Sequence, residues 1–180
     1  MNATSPKRVI ALDLHPLSFG YAVFDAPDEL IDWGIKSFRH GVNTVKVPRG
    51  VKLALLLDRY EPDTLVIREP KTAKLKTIAR AISNLVQSRR IRVRCISRDA
   101  VRRAFPGESH NKYEIALVIA KRHPELSARL GPRRKVWQAE RYSMSIFDAM
   151  ALGIAYFMHY SPVNKQEANP LAGSSLTYRP

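Results

Sequence analysis

The sequence predicts an α/β domain in which one mixed five-stranded sheet carries helices on both faces. Three observations predict it. Three β-rich runs joined by short turns come first, and two helix–strand units follow. The run 64–67 is short and continuously apolar, as a strand covered on both faces should be. The remainder of the chain has helical spacing and so supplies the covering layers. With 180 residues the chain is long enough for one domain with a real core, expected over 8–160.

Residues 1–7 read as a short disordered lead, and 8–12 as a compact apolar strand. Pro16 turns the chain over 15–18, because its ring fixes φ and removes a donor. Residues 19–24 return as a second strand, 25–28 turn again, and 30–38 form a third, which makes an antiparallel meander. A helix over 47–60 presents Val51, Ala54, Leu55, Leu56 and Leu57 as a wide apolar face, and Pro62 stops it. After strand 64–67, residues 72–88 place Leu75, Ile78, Ala79, Ile82, Leu85 and Val86 on one helical stripe. Residues 91–96 form the last strand. Ser97 then caps a short helix reaching 105. Helices over 112–121 and 139–159 close the domain, and 161–180, rich in Pro, Ser, Asn and Gly, reads as a flexible tail. Right-handed crossovers make the first and fourth strands neighbours.

Charge narrows the function. Lys and Arg number 30 against 16 Asp and Glu, a net +14 that suits a polyanionic partner. From Lys71 to Arg103 there are eleven Lys/Arg and one acid, Asp99, whereas an ordinary solvated face mixes signs. Lys71, Lys74, Lys76 and Arg80 from this tract are candidate phosphate contacts, as are Arg133, Arg134 and Lys135 from a second basic loop. Cys95 is the single cysteine; no intramolecular disulfide can form, and its strand setting suggests a buried thiol in a reducing compartment. The longest apolar run, 149–158, is far short of a membrane span, and 1–7 lacks the apolar core of a signal peptide. A cytoplasmic protein is expected. Walker, Rossmann and zincin motifs are all absent, and eight glycines poorly serve the phosphate loops of an actin-like ATPase.

Three carboxylates sit where apolar elements would otherwise exclude charge. Asp13 ends the first strand, Glu69 ends the fourth, and Asp148 lies inside the apolar stretch 144–152. A buried charge costs several kcal/mol unless it is paired or binds a cation. Acids at adjacent element ends suit Mg²⁺ or Mn²⁺, and two such ions about 4 Å apart activate water and stabilise a leaving oxygen in phosphodiester cleavage. Two of the acids also have a plain structural reading, Asp13 as a turn residue beside Pro16 and Glu69 paired with Arg68 or Lys71, whereas the wholly apolar flanks of Asp148 set it apart. Phe19, Trp137 and Tyr142 are candidate stacking residues or core packing, and His15 either assists a water or merely turns the chain.

Asp13, a turn, and then Gly20-Tyr21-Ala22-Val23 resemble the opening of RuvC-like Holliday junction resolvases, which have the RNase H-like (retroviral-integrase) fold. Leu65-Val66-Ile67-Arg68-Glu69-Pro70 looks like that family's fourth strand ending in a catalytic Glu. Phe147-Asp148-Ala149-Met150-Ala151-Leu152-Gly153 looks like its Asp-Ala segment. The resemblance covers about 8–160. It implies a metal-dependent endonuclease that cleaves branched DNA such as Holliday junctions, acts as a homodimer, and holds Mg²⁺ or Mn²⁺ on catalytic Asp13, Glu69 and Asp148. It also implies a phosphate contact at Lys112. The alternatives are an RNA-processing nuclease of the same fold and a non-catalytic nucleic-acid binder. Two departures stand out: Asp13-Leu14-His15-Pro16 replaces the family's Asp-Pro-Gly, and Ser145 stands where a further Asp is usual. Glu140 is a weak substitute for that acid.

Overall fold

The structure is a computed structural model describing residues 8–37, 49–107, 111–133 and 141–160. Strands β1 (Val9–Leu14), β2 (Ser18–Ala26) and β3 (Glu29–Ser37) form the expected meander. Helix α1 (Arg49–Tyr60), β4 (Thr64–Arg68), α2 (Ala73–Gln87) and β5 (Arg92–Ile96) follow as two helix–strand units. Helices α3 (Arg98–Arg103), α4 (Lys112–Arg122) and α5 (Met144–Tyr160) complete the fold, with a 3₁₀ turn at Pro124–Arg129 begun by its proline. The sheet order is β3-β2-β1-β4-β5; β1, β2 and β3 pair antiparallel, while β1–β4 and β4–β5 are parallel. The fold expected from the sequence is the one observed.

Period-two alternation sorts the strands onto two cores. Val9, Ala11, Ala22, Phe24 and Val66 face α3, α4 and α5. Ile10, Leu12, Phe19, Tyr21, Val23, Leu65 and Ile67 face α1 and α2. Helix α5 is the central element of its layer: every residue from Ser145 to Phe157 is buried, so its apolar composition reflects burial all round. It begins at Met144, later than the pattern suggested, because 141–143 form a turn in which the Arg141 carbonyl accepts from Met144 N–H at 3.0 Å.

Some single-residue expectations change. Val51 and Leu55 of α1 are exposed; Leu53, Leu56, Leu57 and Tyr60 carry the buried face instead. Cys95 is exposed, not buried, because β5 is the edge strand of the sheet. Phe19 is core packing rather than a stacking surface. The lead 1–7, the tail 161–180, Arg134, Lys135, Trp137 and Glu140 lie outside the described residues.

A buried carboxylate pair at the strand ends

Parity decides which side chains meet at the carboxyl ends of β1 and β4. Asp13 follows Ala11 on the α5 side of β1, and the β1–β4 register sets Leu12 opposite Ile67. The next pair along is therefore Asp13 and Arg68, which shares its face with Val66. Glu69 has the opposite parity. Its side chain is exposed toward Cys95, whose thiol is pushed up first by partial desolvation and then by the Glu69 charge. The three expected acids thus do not assemble: Asp13 and Asp148 come together, and Glu69 is not brought to them.

Helix α5 lays Ser145 and Asp148 over the end of β1 because β2 leaves room for it. Gly20 pairs with Asp13, and a Cβ there would stand 2.2 Å from the Ser145 carbonyl oxygen. The missing side chain is what lets a helix backbone approach the sheet so closely. Asp13 and Asp148 are 4% and 8% exposed, low enough that their charge must be answered by protein groups.

Each of the four carboxylate oxygens has such a partner. Arg68 Nη2 donates to Asp148 Oδ1 at 2.9 Å, and its Nε lies 3.3 Å from Asp13 Oδ1. Lys112 Nζ donates to Asp148 Oδ2 at 2.8 Å. Asp13 Oδ2 accepts from Ser145 Oγ at 3.1 Å and lies 2.7 Å from His15 Nε2. Lys112 is aimed by its helix start. The Asn111 side chain accepts from Tyr113 and Glu114 N–H, and Glu114 accepts from Asn111 N–H in return. This capping box fixes the first turn of α4.

Burial alone pushes the Asp13 carboxyl up, but the His15 hydrogen bond and the charges of Arg68, His15 and Lys112 outweigh it and hold the carboxyl below its usual range. The same bond raises His15 against the opposing effect of burial. A raised His15 stabilises the fold fully below its unfolded value of about 6.5, and that stabilisation disappears as pH rises through the raised value. A lowered Asp13 contributes above about pH 4 and loses its contribution as pH falls through the lowered value. His15→Gln should therefore lower the melting temperature most between about pH 4 and 6, with the loss shrinking as pH rises through the raised His15 value. Equal losses below and above that value in a thermal-melt series would show the contact to be uncharged.

Asp148 and its partners line two clefts, Asp148 and His15 the first and Lys112 the second. One, of about 730 Å³, runs from His15, Pro16 and Leu17 past Tyr142 to Asp148. The other is lined by Arg98, Asn111, Lys112, Arg133 and Arg141, and Arg141 is common to both. Of the basic residues expected from sequence, Lys112 and Arg133 are here. Lys71, Lys74, Lys76 and Arg80 are exposed on and just before α2, the helix packed on the opposite face of the sheet. Sequence reasoning missed Arg68, Arg98 and Arg141. Strand parity alone would have set Arg68 apart from Glu69.

A divalent ion does not fit this donor set as it stands. Among the described residues no three His, Cys, Asp or Glu converge as metal ligands. The space between the two carboxylates is spanned by a guanidinium.

No protein-family model and no curated protein matches the chain. Solved structures do. Thermus thermophilus RuvC in complex with Holliday junction substrate superposes with a TM-score of 0.58 at 16% identity, over 83% of this chain and 92% of that one. T. thermophilus RuvC in a second structure gives 0.57 at 16% identity, with the same coverage of both chains. The fowlpox virus resolvase complexed with Holliday junction DNA gives 0.54 at 15% identity, over 84% and 97%. At such identities the likeness speaks to architecture, and the chain has the RuvC-type, RNase H-like fold of these resolvases.

Proposed function

We propose that this chain acts on branched DNA such as a four-way junction, using the nuclease frame of the resolvases. The observation that carries the reading is the basic cleft of Arg98, Lys112, Arg133 and Arg141 beside the strand ends, on a fold whose solved neighbours were captured with Holliday junctions. Four cations lining one cleft supply salt-dependent binding to a phosphate backbone. Tyr142, 56% exposed at the lip of the neighbouring cleft, offers a face for an unpaired base. Lys71, Lys74, Lys76 and Arg80 would extend contact along a second arm. A homodimer would match the two-fold symmetry of a junction. No helix among the described residues is long and apolar enough to cross a membrane; the proposed place of action is the cytoplasm, in DNA recombination and repair.

Cleavage is a second reading, which the solved neighbours suggest and which the guanidinium held against both Asp13 and Asp148 opposes. Both are tested by incubating a labelled four-way junction, the matching duplex and a structured RNA with Mg²⁺, Mn²⁺ or EDTA. Preferential junction binding in EDTA is expected, and equal binding of junction and duplex would overturn the branched-DNA reading. Paired nicks in the junction, lost with EDTA and with Asp148→Asn, would establish a metal-dependent endonuclease. Cutting of the RNA alone would reassign the chain to RNA processing.

A further inference from the structure

Four side chains answer the Asp13 and Asp148 carboxylates, and the one shared by both is a guanidinium, not a metal: it donates to Asp148 and stands in ion-pair contact with Asp13. Arg68 reaches one oxygen of each carboxylate, at 2.9 Å and 3.3 Å. Bridging two acids in this way is the task a divalent cation performs at a dinuclear or mononuclear carboxylate site. Arg68 and Lys112 set two cations directly against the two carboxylates. A divalent ion entering here would meet two positive groups within contact distance of its own ligands, and it would have to take oxygens already engaged. Hard cations require free, negatively charged oxygen donors, so both conditions work against binding.

We infer that Arg68 is the resident counter-cation of this carboxylate pair, taking the seat between the acids and making the site a metal-excluding one. Two residues together produce it. Arg68 brings a cation to the β4 position that parity aims at the pair, and Ser145 brings a neutral hydroxyl to the α5 position one turn before Asp148. The guanidinium is charged at every accessible pH, so the exclusion has no pH at which it lapses while the fold holds. Its planar fork suits two separate carboxylates better than a point charge does.

The inference concerns the protein alone, so it is tested without DNA, and its failure is separable from failure of the branched-DNA reading. Mn²⁺ binding is measured by titration calorimetry and by the electron paramagnetic resonance signal of free Mn²⁺, for wild type, Arg68→Ala, Arg68→Gln and Arg68→Lys. Wild type and Arg68→Lys should bind no stoichiometric Mn²⁺ up to about 1 mM, the weak end of carboxylate sites. Arg68→Ala and Arg68→Gln should gain a site, with affinity raised on the order of tenfold or more by removal of a cation a few ångströms away. Both should also melt at lower temperature than wild type and recover with Mn²⁺, while wild-type melting stays unchanged by the ion. Stoichiometric Mn²⁺ binding by wild type overturns the inference, even if the Ala and Gln variants fail to fold. So does a folded Arg68→Gln protein that neither binds Mn²⁺ nor is stabilised by it.

Discussion

Gly20→Ala should destabilise the protein by about 3 kcal/mol and lower its melting temperature by roughly 6–12 °C. The added methyl would lie 2.2 Å from the Ser145 carbonyl oxygen and 2.5 Å from its carbonyl carbon. Those atoms belong to helix backbone and cannot rotate aside, so α5 must lift from β2 or β2 must bend. Lifting α5 carries Asp148 away from Arg68 and Ser145 away from Asp13, and loss of the site accompanies loss of stability. Gly50→Ala is the matched control, since nothing lies within 4 Å of a Cβ there. Gly50 is the second residue of α1, where alanine is the better helix former by a fraction of the roughly 1 kcal/mol that separates the two in a helix interior. Thermal melts of the two variants should move in opposite directions. A Gly20→Ala protein that melts with wild type would contradict the close approach of α5 to the sheet.

Asp148→Asn should weaken the fold and yet tighten nucleic-acid binding. The carboxylate holds Arg68 and Lys112 together on its two oxygens, and removing its charge weakens the hold on both, with Arg68 keeping its contact to Asp13. Breaking a buried pair from one side costs about 3–5 kcal/mol when the remaining charge is fully buried. Here the Arg68 and Lys112 side chains are 29% and 37% exposed, so water takes up part of the imbalance, and about 2 kcal/mol is expected. The same change leaves less of the charge of Lys112, which lines the basic cleft, answered by protein. Anisotropy with a labelled junction in EDTA at fixed salt should show affinity raised about threefold to tenfold, with a steeper salt dependence. Weaker binding by a folded Asp148→Asn protein would mean that the acid orients Lys112 for DNA instead of neutralising it.

Much of the architecture was legible because it is written in periodicity. Alternating and continuous apolar runs marked all five strands, and the spacing of Ala79, Ile82 and Val86 marked the buried stripe of α2. Asp13 and Asp148 were legible as buried charges for the same reason: charge inside an apolar run demands a partner, and each has partners in the structure. Glu69 was grouped with them because it too ends a strand. Adjacency in sequence is not adjacency on a face, and one residue of offset sent Glu69 outward and Arg68 inward. The basic tract divides between the two faces of the sheet. It is continuous in sequence, but its α2 members sit across the sheet from the cleft, while Arg98 and Arg141, far apart in the chain, line the same cleft.

Composition and periodicity by themselves determined the fold class, the strand sequence, the two buried acids and the positive charge that points to nucleic acid. These follow from local rules: a two- or 3.6-residue repeat and the cost of burying a charge operate within a few residues of each position. Only the tertiary structure decided what answers those acids. That depended on the parallel register of β1 against β4, on the absence of a side chain at Gly20, and on the capped start of α4. Each is a relation between segments distant in the chain, and together they place a guanidinium and an ammonium, rather than a third carboxylate, against Asp13 and Asp148.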